Sequence, residues 1–396
     1  MSSHSFENLT PEVVLDALAS VGFMGDGRLT ALNSYENRVY WVRLENGESV
    51  VAKFYRPNRW TQDQILEEHR FTQELALAEI QAVAPILVDG QSLHLWNTYY
   101  FSVSPYRGGR APDLDAPEVL GWIGRFLARI HTIGQAKPFL HRPALNWQNF
   151  GKNSQQKLLA SQLIPIELEN NWNQAVEQAL QAVAVHSCLL LTEVAIIEQA
   201  QSKLSLEDQH QPSAVSYLRT HGDCHPGNIL WTPEGALLAG PHFVDLDDAR
   251  MSFAVQDFWM LLSGDRRQRT EQLSMLLDGY EQVRNFDRRE LALIEPLRTL
   301  RLIHYSAWLA DRWQDPIFPI NFPWFGTHHY WQEQIQTLNE QIIAMLEAAR
   351  WAPSCYGDQP WRFVVLNKNT DPQSWQQAFD CLSPGNQTWA INAPVL

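Results

Sequence analysis

The chain has 396 residues, a net charge of −14, 45% hydrophobic residues and 16 Trp, which is the make-up of a folded chain of two or three domains rather than a disordered one. That charge argues against non-specific nucleic-acid binding, and no apolar run reaches membrane-spanning length. The first residues show no basic and apolar signal pattern, and Cys188, Cys224, Cys355 and Cys381 are sparse with no close metal-ligand pairing, so a reducing cytoplasm is the expected compartment.

In chain order, Thr10-Pro11-Glu12 opens a predicted helix, with Thr10 as its cap and Val13, Val14, Leu15, Leu18 and Val21 near helical spacing. Residues 38–44 and 49–55 alternate as two strands, and Asn46-Gly47 between them is a hairpin signal. Residues 61–80 read as a helix, followed by strands near 93–96 and 99–103. Together these make a small sheet-based N-terminal lobe. After Arg107-Gly108-Gly109-Arg110 the chain turns helical, over 119–133 and 172–201 and again around 255–262, 271–280 and 288–313. Residues 215–218 and 229–231 read as short apolar strands, and the Pro- and aromatic-rich 315–324 as a packed loop.

The chemistry concentrates in His221-Gly222-Asp223-Cys224-His225-Pro226-Gly227-Asn228 and Phe243-Val244-Asp245-Leu246-Asp247-Asp248. Phosphoryl transfer from ATP needs a carboxylate at the acceptor hydroxyl and oxygen ligands for magnesium. Asp223 and Asn228 share one predicted loop, and Asp245 follows a strand facing it. Lys53, in Val51-Ala52-Lys53, stands where a strand lysine would meet phosphates, and Glu67 or, preferably, Glu68 on the next helix is its expected partner. The loop Asn33-Ser34-Tyr35-Glu36-Asn37 lacks glycine, but its N–H groups and the Ser34 hydroxyl could serve phosphate oxygens. Residues 101–106 are the candidate adenine contact. Cys224 reads as a small, partly buried loop residue in preference to a redox sensor.

Over about residues 11–341 these motifs resemble the bacterial Ser/Thr protein kinases of the aminoglycoside phosphotransferase-like and choline kinase-like group. The likeness rests on Leu32-Asn33-Ser34-Tyr35-Glu36-Asn37-Arg38-Val39-Tyr40, Val51-Ala52-Lys53-Phe54-Tyr55-Arg56-Pro57, Gln64-Ile65-Leu66-Glu67-Glu68-His69, both catalytic segments and Asn321-Phe322-Pro323-Trp324. The resemblance implies a monomeric cytoplasmic enzyme dependent on ATP and Mg2+, acting in stress survival. Its fold would be α+β and two-lobed, with an N-terminal ATP-binding lobe (residues 1–105) and a helical catalytic lobe (106–341). Carried over by position, Asp223 is the proton acceptor, Asn228 and Asp245 are the magnesium ligands, and Ser34 is the ATP-loop contact. Pro226 departs from relatives with Ala there and stiffens the loop.

From residue 342 the chain resembles the flavin-binding opening of a nitroreductase, through Met345-Leu346-Glu347-Ala348-Ala349-Arg350-Trp351-Ala352-Pro353-Ser354 and Gln359-Pro360-Trp361-Arg362-Phe363-Val364-Val365. Only the start of such a domain is present, so residues 342–396 are expected to be a partial α/β extension that binds no flavin. The Asp, Asn and Asp set leaves the acceptor open between a protein Ser or Thr and a small alcohol such as choline, homoserine or an aminoglycoside. A non-catalytic nucleotide-binding scaffold is the third reading.

Overall fold

The computed structural model describes residues 5–186, 215–233, 239–350, 371–382 and 387. Helix α1 (Pro11–Ser20) starts as its sequence dictates: Thr10 Oγ1 accepts the Val13 N–H at 3.4 Å, and Pro11 occupies the first turn. Five strands follow, β1 (Gly25–Leu32), β2 (Arg38–Leu44), β3 (Ser49–Phe54), β4 (His94–Trp96) and β5 (Tyr99–Pro105), forming an antiparallel sheet in the order β1-β2-β3-β5-β4. Between β3 and β4 runs α2 (Gln62–Leu77), opened by a capping box in which Thr61 and Gln64 satisfy each other's backbone N–H groups.

Along β3, Val50, Ala52 and Phe54 are buried in a core with Val14, Leu18, Val42, Phe101 and Val103, while Lys53 alternates to the opposite side. Phe54 stacks on Phe101 at 5.3 Å. The sequence reading missed β1. Gly25-Asp26-Gly27-Arg28 has no alternation, and the strand is mostly exposed, so pairing with β2 and not its own pattern creates it. The loop 33–37 is therefore the tip of a β1–β2 hairpin rather than a lead-in to a first strand.

Next come α3 (Pro117–Gln135), a π-helical turn (Trp147–Lys152), α4 (Asn153–Ser161) and α5 (Ile166–His186). The expected continuation of α5 to residue 201 lies outside the described residues. Two short antiparallel pairs flank the candidate catalytic segments: β6 (Leu218–Thr220) with β9 (Arg250–Ser252), and β7 (Ile229–Thr232) with β8 (Gly240–Phe243). The expected strand at 215–218 thus begins only at Leu218.

Helix α6 (Gln256–Trp259) is shorter than the expected 255–262, and α7 (Arg266–Tyr280) is longer than 271–280, because Asp265 and Gln268 form a capping box upstream. The 288–313 helix divides into a 3-10 segment (Arg288–Leu293) and α8 (Ile294–Asp311). The segment read as a packed loop contains α9 (Ile317–Asn321). Helix α10 (His328–Arg350) runs through the point where the two sequence resemblances meet, and α11 (Pro372–Asp380) follows. The nitroreductase-like stretches 351–370 and 388–396 lie outside the described residues.

The chain forms two compact units. The first is Met1–Ala144 with Asp208–Glu290 and Gln314–Asn321, and it contains every catalytic candidate. In it α3 lies against α7 so closely that a Cβ on Gly124 would come 2.0 Å from the Leu276 carbonyl oxygen. The second is Leu145–Glu207 with Leu291–Trp313 and Phe322–Leu396. It is centred on Trp172 and Trp331, whose rings meet edge-on at 5.9 Å and whose indole N–H groups donate to Gln334 Oε1 and the Leu163 carbonyl.

Candidate active site

Two loops place the carboxylates. The first leaves β6 at Thr220 and returns as β7 at Ile229, carrying Asp223 and Asn228. At its start Gly222 has φ +82°, and a Cβ there would lie 2.2 Å from the Asp248 carbonyl oxygen, so only glycine fits. The Asn228 side-chain amide donates to the Asp223 carbonyl at 3.0 Å. That contact uses Nδ2 and not Oδ1. His225 accepts the Gly227 N–H on Nδ1, which puts its ring proton on Nε2, 3.7 Å from Asp223 Oδ2.

The second loop leaves β8 at Phe243 and holds Asp245 in the left-handed region, φ 56° and ψ 60°. The two loops are tied at Val244, whose N–H donates to the Asn228 carbonyl and whose carbonyl accepts from His221 Nε2, both at 3.0 Å. Behind them, Asp257 accepts the backbone N–H groups of His221 and Gly222 at 2.8 and 2.9 Å and meets His131 Nε2 at 3.0 Å.

Lys53 is paired in register with Val39 of β2 and Ser102 of β5. Its ammonium lies 2.8 Å from Asp245 Oδ1 and 3.2 Å from Asp247 Oδ1. Burial alone would lower its pKa, but Asp245 and Asp247 outweigh burial and hold it well above 10.5. Glu68 does not form the expected ion pair with Lys53. It is buried one turn before Thr72, whose hydroxyl donates to its Oε1 at 3.1 Å, and burial raises its carboxyl. Glu68 still adds to the field that keeps Lys53 charged. Glu67, the other expectation, accepts the N–H groups of Leu140, His141 and Arg142.

Asp247 went unrecognised as a site residue in the sequence. It is 4% exposed and also receives Arg59 Nη1 and the Asn37 side-chain amide, while Asp248 receives Arg59 and Arg250 at 2.8 Å. Burial opposes ionisation of Asp247, but Lys53 and Arg59 overcome it and hold the carboxyl well below the usual range. The signal was present in the run Asp245-Leu246-Asp247-Asp248, where residue type alone does not say which carboxylates meet Lys53. Cys224 is fully buried, and burial beside Asp257 and Asp223 pushes its thiol well above 9.0, which removes the thiolate a redox sensor needs.

Ser34 is half-buried at the hairpin tip, and its hydroxyl has no hydrogen-bond partner among the described residues. Among those residues, no group of three or more His, Cys, Asp or Glu side chains could hold a metal by itself. No helix among them is long and apolar enough to cross a membrane.

An antiparallel sheet with a charged strand lysine, set against a loop bearing Asp and Asn and a turn bearing Asp, defines a phosphotransferase of the two-lobed α+β kinase-like class. The model of the phosphotransferase enzyme family matches residues 28–294, and the chain belongs to that family. Stress response kinase A of Escherichia coli (strain K12) is 41% identical over 346 residues, 87% of this chain and 96% of that protein. The Salmonella typhimurium protein named serine/threonine protein kinase RdoA matches to the same extent, 41% over 346 residues, with 87% and 96% covered. Among solved structures, an amicoumacin kinase in complex with AMP-PNP and Ca2+ has a TM-score of 0.60 at 18% identity, over 84% of this chain and 92% of that one. That likeness concerns the fold. The nitroreductase family model matches residues 338–390, in line with the resemblance seen in the tail.

Proposed function

We propose that the chain transfers the terminal phosphoryl group of ATP, with magnesium, to Ser or Thr hydroxyls of proteins. The observation that carries this reading is the convergence of Lys53, Asp245, Asn228 and Asp223 in one backbone-tied arrangement. The donor set fits magnesium: a half-exposed carboxylate on Asp245 and an amide oxygen on Asn228 are hard ligands, and substrate phosphates and water complete such sites. When bound, the ion neutralises charge on the phosphate oxygens.

The chain's own groups do the rest. Asp223 orients the acceptor hydroxyl and takes its proton on the carboxylate as the bond to phosphorus forms. Lys53, held charged, neutralises the phosphates that are not transferred. Ser34 and the N–H groups of its loop contact the triphosphate. Glu68 supports Lys53 from behind. The protein acceptor rests on relatives at 41% identity that bear protein-kinase and stress-kinase names and are matched over 96% of their length.

Incubation with labelled ATP and magnesium, offering generic proteins and small alcohols side by side, tests both parts. Label is expected on protein Ser or Thr, falling about 10²–10⁴-fold in Asp223→Ala. Label only on an alcohol would overturn the protein acceptor. Undiminished transfer by folded Asp223→Ala would overturn the site.

A further inference from the structure

Arg56 follows β3, three residues after Lys53, and is 8% exposed. Its guanidinium is engaged through Nε and Nη2. Nε donates to the Glu36 carbonyl at 2.9 Å, and Nη2 donates to the Tyr35 carbonyl at 3.1 Å and to Asp315 Oδ2 at 2.9 Å. The Glu36 carboxylate lies 3.1 Å from Nε, and the Phe318 ring lies 5.5 Å from the guanidinium carbon. The Arg56 backbone N–H donates to Asn37 Oδ1, and the Asn37 amide donates on to Asp247, the partner of Lys53.

This geometry fixes the direction of a loop. In a trans peptide the carbonyl of one residue points opposite to the N–H of the next. Drawing the Tyr35 and Glu36 carbonyls onto Arg56 therefore turns the N–H groups of Glu36 and Asn37 away from it. That sets a run of donors at the hairpin tip beside Ser34, the arrangement an anion needs. Asp315 is one restraint on Arg56; it also meets Arg38 Nη2 at 3.5 Å and accepts the Ile317 N–H at 3.3 Å at the start of α9.

We propose that Arg56, anchored by Asp315, is a positioning residue that orients the Ser34–Asn37 loop toward phosphate, so that residues 315–318 help to set affinity for the triphosphate. The inference rests on the reading that ATP binds at this loop. Hydrogen bonds to charged groups contribute enough that losing the Arg56 set should weaken Mg-ATP binding about tenfold.

The test measures dissociation constants for Mg-ATP and for adenosine, by tryptophan fluorescence, on the full chain. Arg56→Gln should weaken Mg-ATP about tenfold and Asp315→Asn about threefold, with adenosine changed less than about twofold in both. Should Arg56→Gln not fold, the Asp315→Asn comparison decides alone. Equal losses for Mg-ATP and adenosine, or no loss for Mg-ATP in a folded variant, would overturn the proposal. A wild-type chain that binds no Mg-ATP would overturn the nucleotide reading beneath it.

Discussion

Glu290 is 2% exposed, and its Oε2 accepts the Val255 N–H at 2.9 Å. Burial pushes its carboxyl from an ordinary 4.5 up to about 7; the Val255 hydrogen bond and Arg284 pull the other way, and Asp287 adds to the rise. Below about pH 4.5 the group is protonated in both folded and unfolded chains, so its contribution to stability is fully present. As pH rises from there to about 7 the unfolded chain ionises first and stability is lost, after which the loss is constant. At 1.36 kcal/mol per pKa unit the upper bound is about 3 kcal/mol. Glu290→Gln keeps an acceptor for Val255 and removes the titration. Its stability relative to wild type, from denaturant midpoints, should rise by about 2 kcal/mol between pH 5 and pH 8. A difference that stays constant with pH would exclude Glu290 as the source.

At the scale of elements, the loop bearing Asp223 and Asn228 is held by α6 through Asp257. The Asp257 carboxylate takes two successive N–H groups at the root of the loop, and its third partner, His131, also meets the Tyr280 hydroxyl at 3.1 Å. Asp257→Ala would strand two buried donors at about 1–3 kcal/mol each and loosen Asp223 and Asn228 together. The expected result is destabilisation by about 2–4 kcal/mol and a loss of transfer greater than tenfold at a temperature where the variant is still folded. Denaturation and labelled-ATP assays read the two effects separately, and full activity would show that the loop holds its shape without the clamp.

The difference between Asp223 and Asp257 marks what the sequence reveals. Asp223, Asn228 and Asp245 stood out because their types and spacing suit phosphoryl transfer, and the structure ties the loops that carry them. Asp257 works by accepting backbone N–H groups from far away in the chain, and as one acid at the start of a short helix it looks like any cap. Element α1 was legible through Thr10, whose cap is local, and α2 through the apolar residues Ile65, Leu66, Phe71 and Leu75. Strand β1 and helix α9 were not, since one exists through pairing with β2 and the other is five residues long. Lys53 was found from its strand but given Glu68, because a contact between β3 and the turn after β8 has no local signal.

At the scale of the whole molecule, the change from kinase-like to nitroreductase-like sequence falls inside one helix. The nitroreductase match begins at residue 338, within α10, whose Trp331, Leu338 and Met345 are all buried. Gln341, at the sequence boundary, accepts the Thr299 hydroxyl of α8 at 3.3 Å. The resemblance boundary is thus not a structural one, and Met345 belongs to the packing of the second unit although it lies on the nitroreductase side. Two truncations separate these views. A chain ending at residue 350 keeps all of α10, and phosphoryl transfer should stay within about twofold of the full chain, since the proposed catalytic groups lie in the first unit. A chain ending at residue 341 loses Met345 and the last turns of α10, and should unfold more easily by about 2–4 kcal/mol than the longer one. Denaturant unfolding of the pair measures this directly. Equal stability would mean that the helix beyond Gln341 contributes nothing to the second unit and that the kinase-like part ends where its sequence likeness does.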